Sequence, residues 1–175
     1  MTKRFIATAA VLMIGLGSAA PGLSASAEFT TDKASPLKLA NPRHGRVTHF
    51  AGTVELSGRF LVAWQRGSRD LHALRATFFP DRVSTALLPH GAEDEPVKEI
   101  LFPDAAHAAA LLLDKDTARR LFAKELVSAA GEALVTIRDY HAVVDCDHRW
   151  YMADLASVAK AALLADAGVA APPGC

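Results

Sequence analysis

From Val47 to Gln65 the chain alternates in period two. One parity carries Phe50, Gly52, Val54, Leu56, Gly58, Phe60, Val62 and Trp64; the other carries His49, Thr53, Glu55, Ser57 and Gln65, with Ala51, Leu61 and Ala63 as its apolar members. An alternation of this length prescribes a half-buried β-strand, because successive side chains of a strand point to opposite faces. A hairpin turning at Ser57-Gly58 would pair Val54 with Leu61 and send Phe60, Val62 and Trp64 to the face opposite Val54 and Leu56. One long strand bent at Gly52 and Gly58 keeps every large residue on one side. Glycine inside a strand commonly marks such a bend or bulge. The single bent strand is therefore our reading, with the hairpin as its rival.

The rest of the chain is read against that strand. Gly67-Ser68-Arg69-Asp70 is a turn, Leu71 to Phe79 a second strand stopped by Pro80, and Val83 to Leu88 a short continuation ended by Pro89. An acidic loop, Gly91 to Pro96, leads into a third strand, Val97 to Phe102. Asp104 is placed to cap a helix over Ala105 to Leu113. Asp114-Lys115-Asp116 then either interrupts that helix or, through Asp116, caps a second one over Thr117 to Leu126. Gly131 is expected to stop the helical stretch. Ala133 to Val144 and Trp150 to Ala153 read as two further strands joined by a polar turn. Asp154 reads as the cap of a last helix reaching Ala167. Alanine supplies 35 of the 175 residues. It favours helix but buries little area, so the core must come from the sparser Phe, Trp, Leu, Val and Ile.

The resulting order is strand, strand, strand, helix, strand, strand and a C-terminal helix. It predicts a mostly β, α+β domain, in form a small OB-like partly open barrel. A generic antiparallel α+β domain is the competing architecture. Domain boundaries follow from composition. Lys3 and Arg4 precede an uncharged apolar run, Phe5 to Gly17, and then the small-residue site Ala25-Ser26-Ala27. That is the pattern of a secretory signal peptide over residues 1–27, cleaved after Ala27. The 13-residue run is short of the roughly 20 needed for a membrane-spanning helix, so no membrane span is expected after cleavage. Residues 28–46, with Pro36 and Pro42 and no apolar period, are expected to form a flexible tether. Residues 47–170 make one globular domain, and residues 171–175 a loose tail.

Charge is polarised beneath an apparent neutrality. Residues 28–92 hold nine basic and five acidic residues, and residues 93–175 eight basic and fourteen acidic. Without the signal the chain carries a net charge of −2. No large single-sign field results. Arg66, Arg69, Arg75 and Arg82 lie near Phe60, Trp64, Phe78 and Phe79, a mixture that suits a nucleic-acid-binding sheet. Those aromatics are needed for the core, and export argues against such a partner, so no nucleic acid is expected.

The densest group of reactive side chains is His141, Asp145, Cys146, Asp147 and His148. Imidazole and carboxylate donors make His141, Asp145, Asp147 and His148 the candidate ligands for zinc or a similar metal. His141, Asp145 and Asp147 share one strand parity; His148 joins them only if the turn redirects it. The bland alternative is a polar hairpin tip. In an exported chain the two cysteines, Cys146 and Cys175, are expected to pair. Such a bridge would be worth about 3–4 kcal/mol in the chain-entropy picture; pairing between chains and two free thiols are the alternatives.

Other motifs are weaker. Gly15 to Ala20 superficially matches a dinucleotide loop but lies inside the signal. Ala118 interrupts any calcium loop beginning at Asp114. No serine stands in a G-x-S-x-G context, and Glu93, Asp94 and Glu95 are adjacent in a loop rather than held apart on a scaffold. The sequence thus nominates no catalyst. It points to an exported, periplasmic, non-catalytic binding or accessory domain for a protein partner or envelope ligand. Its alternative is a metal-binding or metal-dependent protein using His141, Asp145 and Asp147.

Overall fold

A computed structural model describes residues 29–44, 46–66, 72–146 and 148–164. The signal segment with its cleavage site, the turn at residues 67–70, Asp147 and the tail with Cys175 lie outside the described residues.

The alternating segment is one strand, β3 (Val47–Arg66). Phe50, Val54, Leu56, Phe60 and Val62 face the interior, as the single-strand reading requires. Both glycines act in it. Gly52 has φ 116°, and a Cβ there would lie 2.8 Å from the Pro36 carbonyl oxygen. Gly58 lets the backbone of Phe79 and Pro80 approach closely. A bent strand can change neighbours along one edge. Early in β3 that edge pairs with β2 (Lys38–His44), and from Gly58 onward with β4 (His72–Pro80).

Where a flexible tether over residues 28–46 is expected, the described residues 29–44 carry two strands. β1 (Phe29–Thr30) pairs with β5 (His90–Gly91), and β2 pairs with β3 through two register shifts. Phe29 meets the Phe50 ring edge-on at 5.2 Å, and Leu37 is buried. Two apolar anchors and a broken ladder leave no periodic trace in the sequence.

Asp81 ends β4 and turns the expected strand continuation at Val83 into a helix. Its Oδ1 accepts from the Ser84 N–H at 2.8 Å, capping α1 (Arg82–Thr85). β6 is shorter than expected, Ile100–Phe102. Asp104 caps α2 (Ala105–Leu112) by accepting from the His107 N–H at 2.9 Å. The second helix, α3 (Lys115–Phe122), is capped by Asp114 rather than Asp116, through the Asp116 and Thr117 N–H groups at 3.0 Å. Trp64 donates its indole N–H to the Leu121 carbonyl at 2.8 Å, tying α3 to β3. Gly131 is no helix stop; it lies within β7 (Ser128–Asp145), where a Cβ would come within 2.6 Å of the Phe60 ring.

The largest correction concerns the C-terminal helix. β8 runs as one strand from His148 to Leu163 and pairs with β7 as far as Gly131↔Leu163. Alanine favours helix by a margin that tertiary pairing overrides. Here the β7 ladder, together with Leu155 in the core and Val158 packed against it, decides the matter.

The fold is thus mostly β. β3 pairs with β4, β4 with β6, β6 with β8, β8 with β7, and β7 with β3 again, so the sheet partly closes on itself. Leu56, Phe60, Phe78, Ile100, Val135 and Tyr140 fill its interior. Among the described residues no helix is long and apolar enough to cross a membrane.

Candidate functional site

Two features on the outer face of this sheet gather chemistry-bearing side chains. The first grows from a defect in the β3–β7 ladder. His49 pairs with His141 and Phe50 with Tyr140, and regular pairing resumes only at Thr53↔Arg138. Ala51 and Gly52 together oppose Asp139, and Asp139 adopts φ 48°. This left-handed backbone is unfavourable for most residues, and Asp is among the side chains that tolerate it best. Ile137 and Tyr140 both point inward, while Arg138 and Asp139 are both exposed. Against β8, where Asp139 and Tyr140 together oppose Ala153, β7 carries an extra residue at Asp139, which leaves it on the same side as His49 and His141.

One donor atom from each of His49, Asp139 and His141 lies within 4.8 Å of the others. His49 Nδ1 is 3.4 Å from Asp139 Oδ1. The imidazole centroids are 5.1 Å apart at 31°. His141 Nδ1 lies 2.8 Å from the Asp139 carbonyl oxygen. A carbonyl can only accept, so that nitrogen carries a proton, and in the neutral ring Nε2 keeps the lone pair.

The metal set expected from sequence is divided by this geometry. His141 belongs to the cluster. Asp145 shares its strand face but lies four residues further on, about 13 Å at strand rise. It faces the Arg46 guanidinium, with Nη1 to Oδ1 at 3.4 Å. His148 pairs with Asp145 in the ladder and meets the Trp150 ring edge-on at 6.2 Å. Parity gave the right face and said nothing of distance along it. Cys146, exposed with φ 46°, begins the connection after β7. Sequence reasoning missed His49 and Asp139. His49 stood on the polar parity of β3, but only the β3–β7 register brings it beside His141.

The second feature is a groove at the weakest joint of the ring. β6 and β8 share a single ladder pair, Leu101↔Met152. The space beside it, about 410 Å³, is lined by residues of the 94–101 segment and by His148, Arg149, Trp150 and Tyr151. Its rear wall is well fixed. Arg149 binds the Asp94 carboxylate, and its guanidinium carbon stands 4.9 Å over the Phe29 ring. The Tyr151 hydroxyl accepts from the Gly91 N–H at 3.2 Å. Tyr151 stacks on Tyr140, with centroids 5.9 Å apart and planes at 5°. Tyr140 donates to the Pro89 carbonyl at 2.8 Å. Burial raises the pKa of both phenols, Tyr140 the more strongly. Both hydroxyls therefore stay protonated at neutral pH.

A larger hollow of about 510 Å³ lies beside Ser57, Arg59, Glu132 and Lys160. Its one reactive grouping is already used structurally. The Ser57 hydroxyl donates to Asp81, and this bond, foremost among the hydrogen bonds to that carboxyl, holds its pKa below the ordinary carboxylate value. The same Asp81 caps α1. No family model, curated protein or solved structure matches the chain.

Proposed function

We propose that this chain is an exported, non-catalytic binding domain on an OB-like barrel, holding a protein or envelope ligand in the groove at the β6–β8 joint. The observation that carries this reading is the groove itself. A rim of exposed His148 and half-exposed Trp150 stands over a wall formed by Arg149, Asp94 and Tyr151. Aromatic and arginine side chains on a fixed backing are the anchors through which binding surfaces gain most of their affinity. The OB-like form is supported by the circuit of five strands, with α2 and α3 inserted after the third and a parallel joint between the third and the fifth. Small barrels of this kind bind extended ligands across strands and loops. Export through residues 1–27 and a Cys146–Cys175 bridge belong to the same proposal.

The test is a titration of the isotope-labelled mature protein, followed by amide NMR, with defined cell-wall oligosaccharides and with a set of extended peptides. Shifts confined to residues 94–101 and 148–152, and lost in Trp150→Ala, are the expected result. Shifts centred on Ser57 and Lys160, or no response to any ligand, would overturn it. Mass analysis of the exported protein checks cleavage after Ala27 and, before and after reduction, the bridge.

A further inference from the structure

We infer that His49, Asp139 and His141 form a binding site for one divalent transition-metal ion, with zinc as its first occupant. This inference is independent of the groove and of any ligand held there. Two neutral imidazoles and one carboxylate are a donor set that zinc accepts with further coordination positions left for water or a partner's side chain. Metal–nitrogen and metal–oxygen distances of roughly 2.0–2.2 Å place tetrahedral donors about 3.4 Å apart. The widest separation here is at most 4.8 Å, and metal binding requires rotation of the partly exposed His49 and Asp139 side chains toward His141. The room exists, since the side chains of His49 and Asp139 are 45% and 58% exposed.

The surroundings favour a ligating role over a chance meeting of polar residues. His141 places Nδ1–H on the Asp139 carbonyl at 2.8 Å. Such an outer hydrogen bond is the usual way a metal-binding histidine is fixed in one tautomer, with Nε2 presented. Asp139 therefore serves twice, its backbone orienting one ligand and its carboxylate supplying another. It does so from a left-handed conformation, φ 48°, in a bulge that brings it to the side of the two imidazoles. Strained backbone of this kind collects at functional sites. Binding is a plain ligand exchange: waters of the ion's hydration shell leave and two nitrogen lone pairs and one carboxylate oxygen take their place, with no change of oxidation state.

The experiment uses untagged mature protein cleared of metal by chelation. Calorimetric titration with Zn2+, repeated with Cu2+ and Ni2+, is expected to show one equivalent bound and a raised melting temperature. His49→Ala, His141→Ala and Asp139→Asn are each expected to weaken binding more than about tenfold, while Asp145→Asn and His148→Ala leave it unchanged. Asp139→Gly relieves the backbone strain and is expected to fold at least as stably, yet lose the ion. That variant separates a ligand from a structural residue. Absence of binding by all three metals overturns the site. So does binding that survives the His49→Ala/His141→Ala double variant, or that depends on His148.

Discussion

Two joints of the same ring are built in opposite ways. β3 and β7 pair over fifteen positions, from Val47↔Val143 to Ala63↔Ser128. β6 and β8 meet at one, Leu101↔Met152. The long joint is a backbone structure, an antiparallel ladder interrupted only between Phe50 and Thr53. The short joint is held chiefly by side chains, with Ile100 and Phe102 from β6 and Tyr151 and Ala153 from β8 all buried in the same core. Hydrogen bonds fix register in one place and packing fixes proximity in the other. A joint with little ladder also leaves strand-edge surface for a ligand, and there the groove lies.

The contrast can be broken hardest at the long joint. Phe60, 1% exposed in the middle of the β3–β7 ladder, is expected to cost about 3–5 kcal/mol on replacement by alanine, measured by urea unfolding. Gly131→Ala, facing Phe60 across that ladder, is expected to cost about 1–3 kcal/mol. The new methyl would meet the Phe60 ring on one side and the Ala162 carbonyl on the other. Tyr140→Phe removes one buried hydrogen bond, to Pro89, for about 1 kcal/mol. The same residue gives a pH signature. The folded state keeps the Tyr140 and Tyr151 protons above pH 10.0, where the unfolded chain releases them. Stability is therefore lost as pH rises past 10, and Tyr140→Phe is expected to flatten that fall in a melting-temperature profile. The smallest effect belongs to the short joint: Trp150→Ala, on a half-exposed rim, is expected to change stability by no more than about 0.5 kcal/mol. In the wild type, amide exchange around Leu101 and Met152 is expected to be faster than at Leu56 or Val135. Equal protection at both joints would remove the distinction.

What the sequence disclosed follows the same line. β3 was legible because one face of it is core for its whole length, so burial writes a period of two into the residues. The caps at Asp104 and Asp114 belong to a local motif that needs no distant partner, although which of Asp114 and Asp116 does the capping was misjudged. β1 and β2 left no mark because their order rests on a few anchors, Phe29 and Leu37, supplied by contacts elsewhere. β8 was misread because its later residues, from Ala159 to Leu163, are exposed, and alanine there reports helix propensity while backbone pairing sets the conformation. The candidate metal site was half visible. His141 stood out, but its companions are chosen by register and by one extra residue at Asp139. A trace of that residue was present, since Ile137 and Tyr140 are both core and stand three apart, a spacing that strict alternation forbids.

That extra residue also shapes the sheet in its own plane. Two rungs cross β3, β7 and β8 together: Val54–Ile137–Leu155 and His49–His141–Met152. Between them β3 takes five steps, β7 four and β8 three. The three strands are lanes of a curved track, with β3 outermost and β8 innermost. At about 3.3 Å per step and 4.8 Å between lanes, the difference amounts to a turn of roughly 40°. Each lane's length is then set by its neighbours. Deleting Asp139 would cut the middle lane to the length of the inner one, and the curve would be restored only by shortening β3 and β8 by one residue as well. Residues that look like local irregularities in three separate stretches of sequence are one piece of geometry, and substitutions that change the number of residues in any one stretch are expected to be tolerated only together.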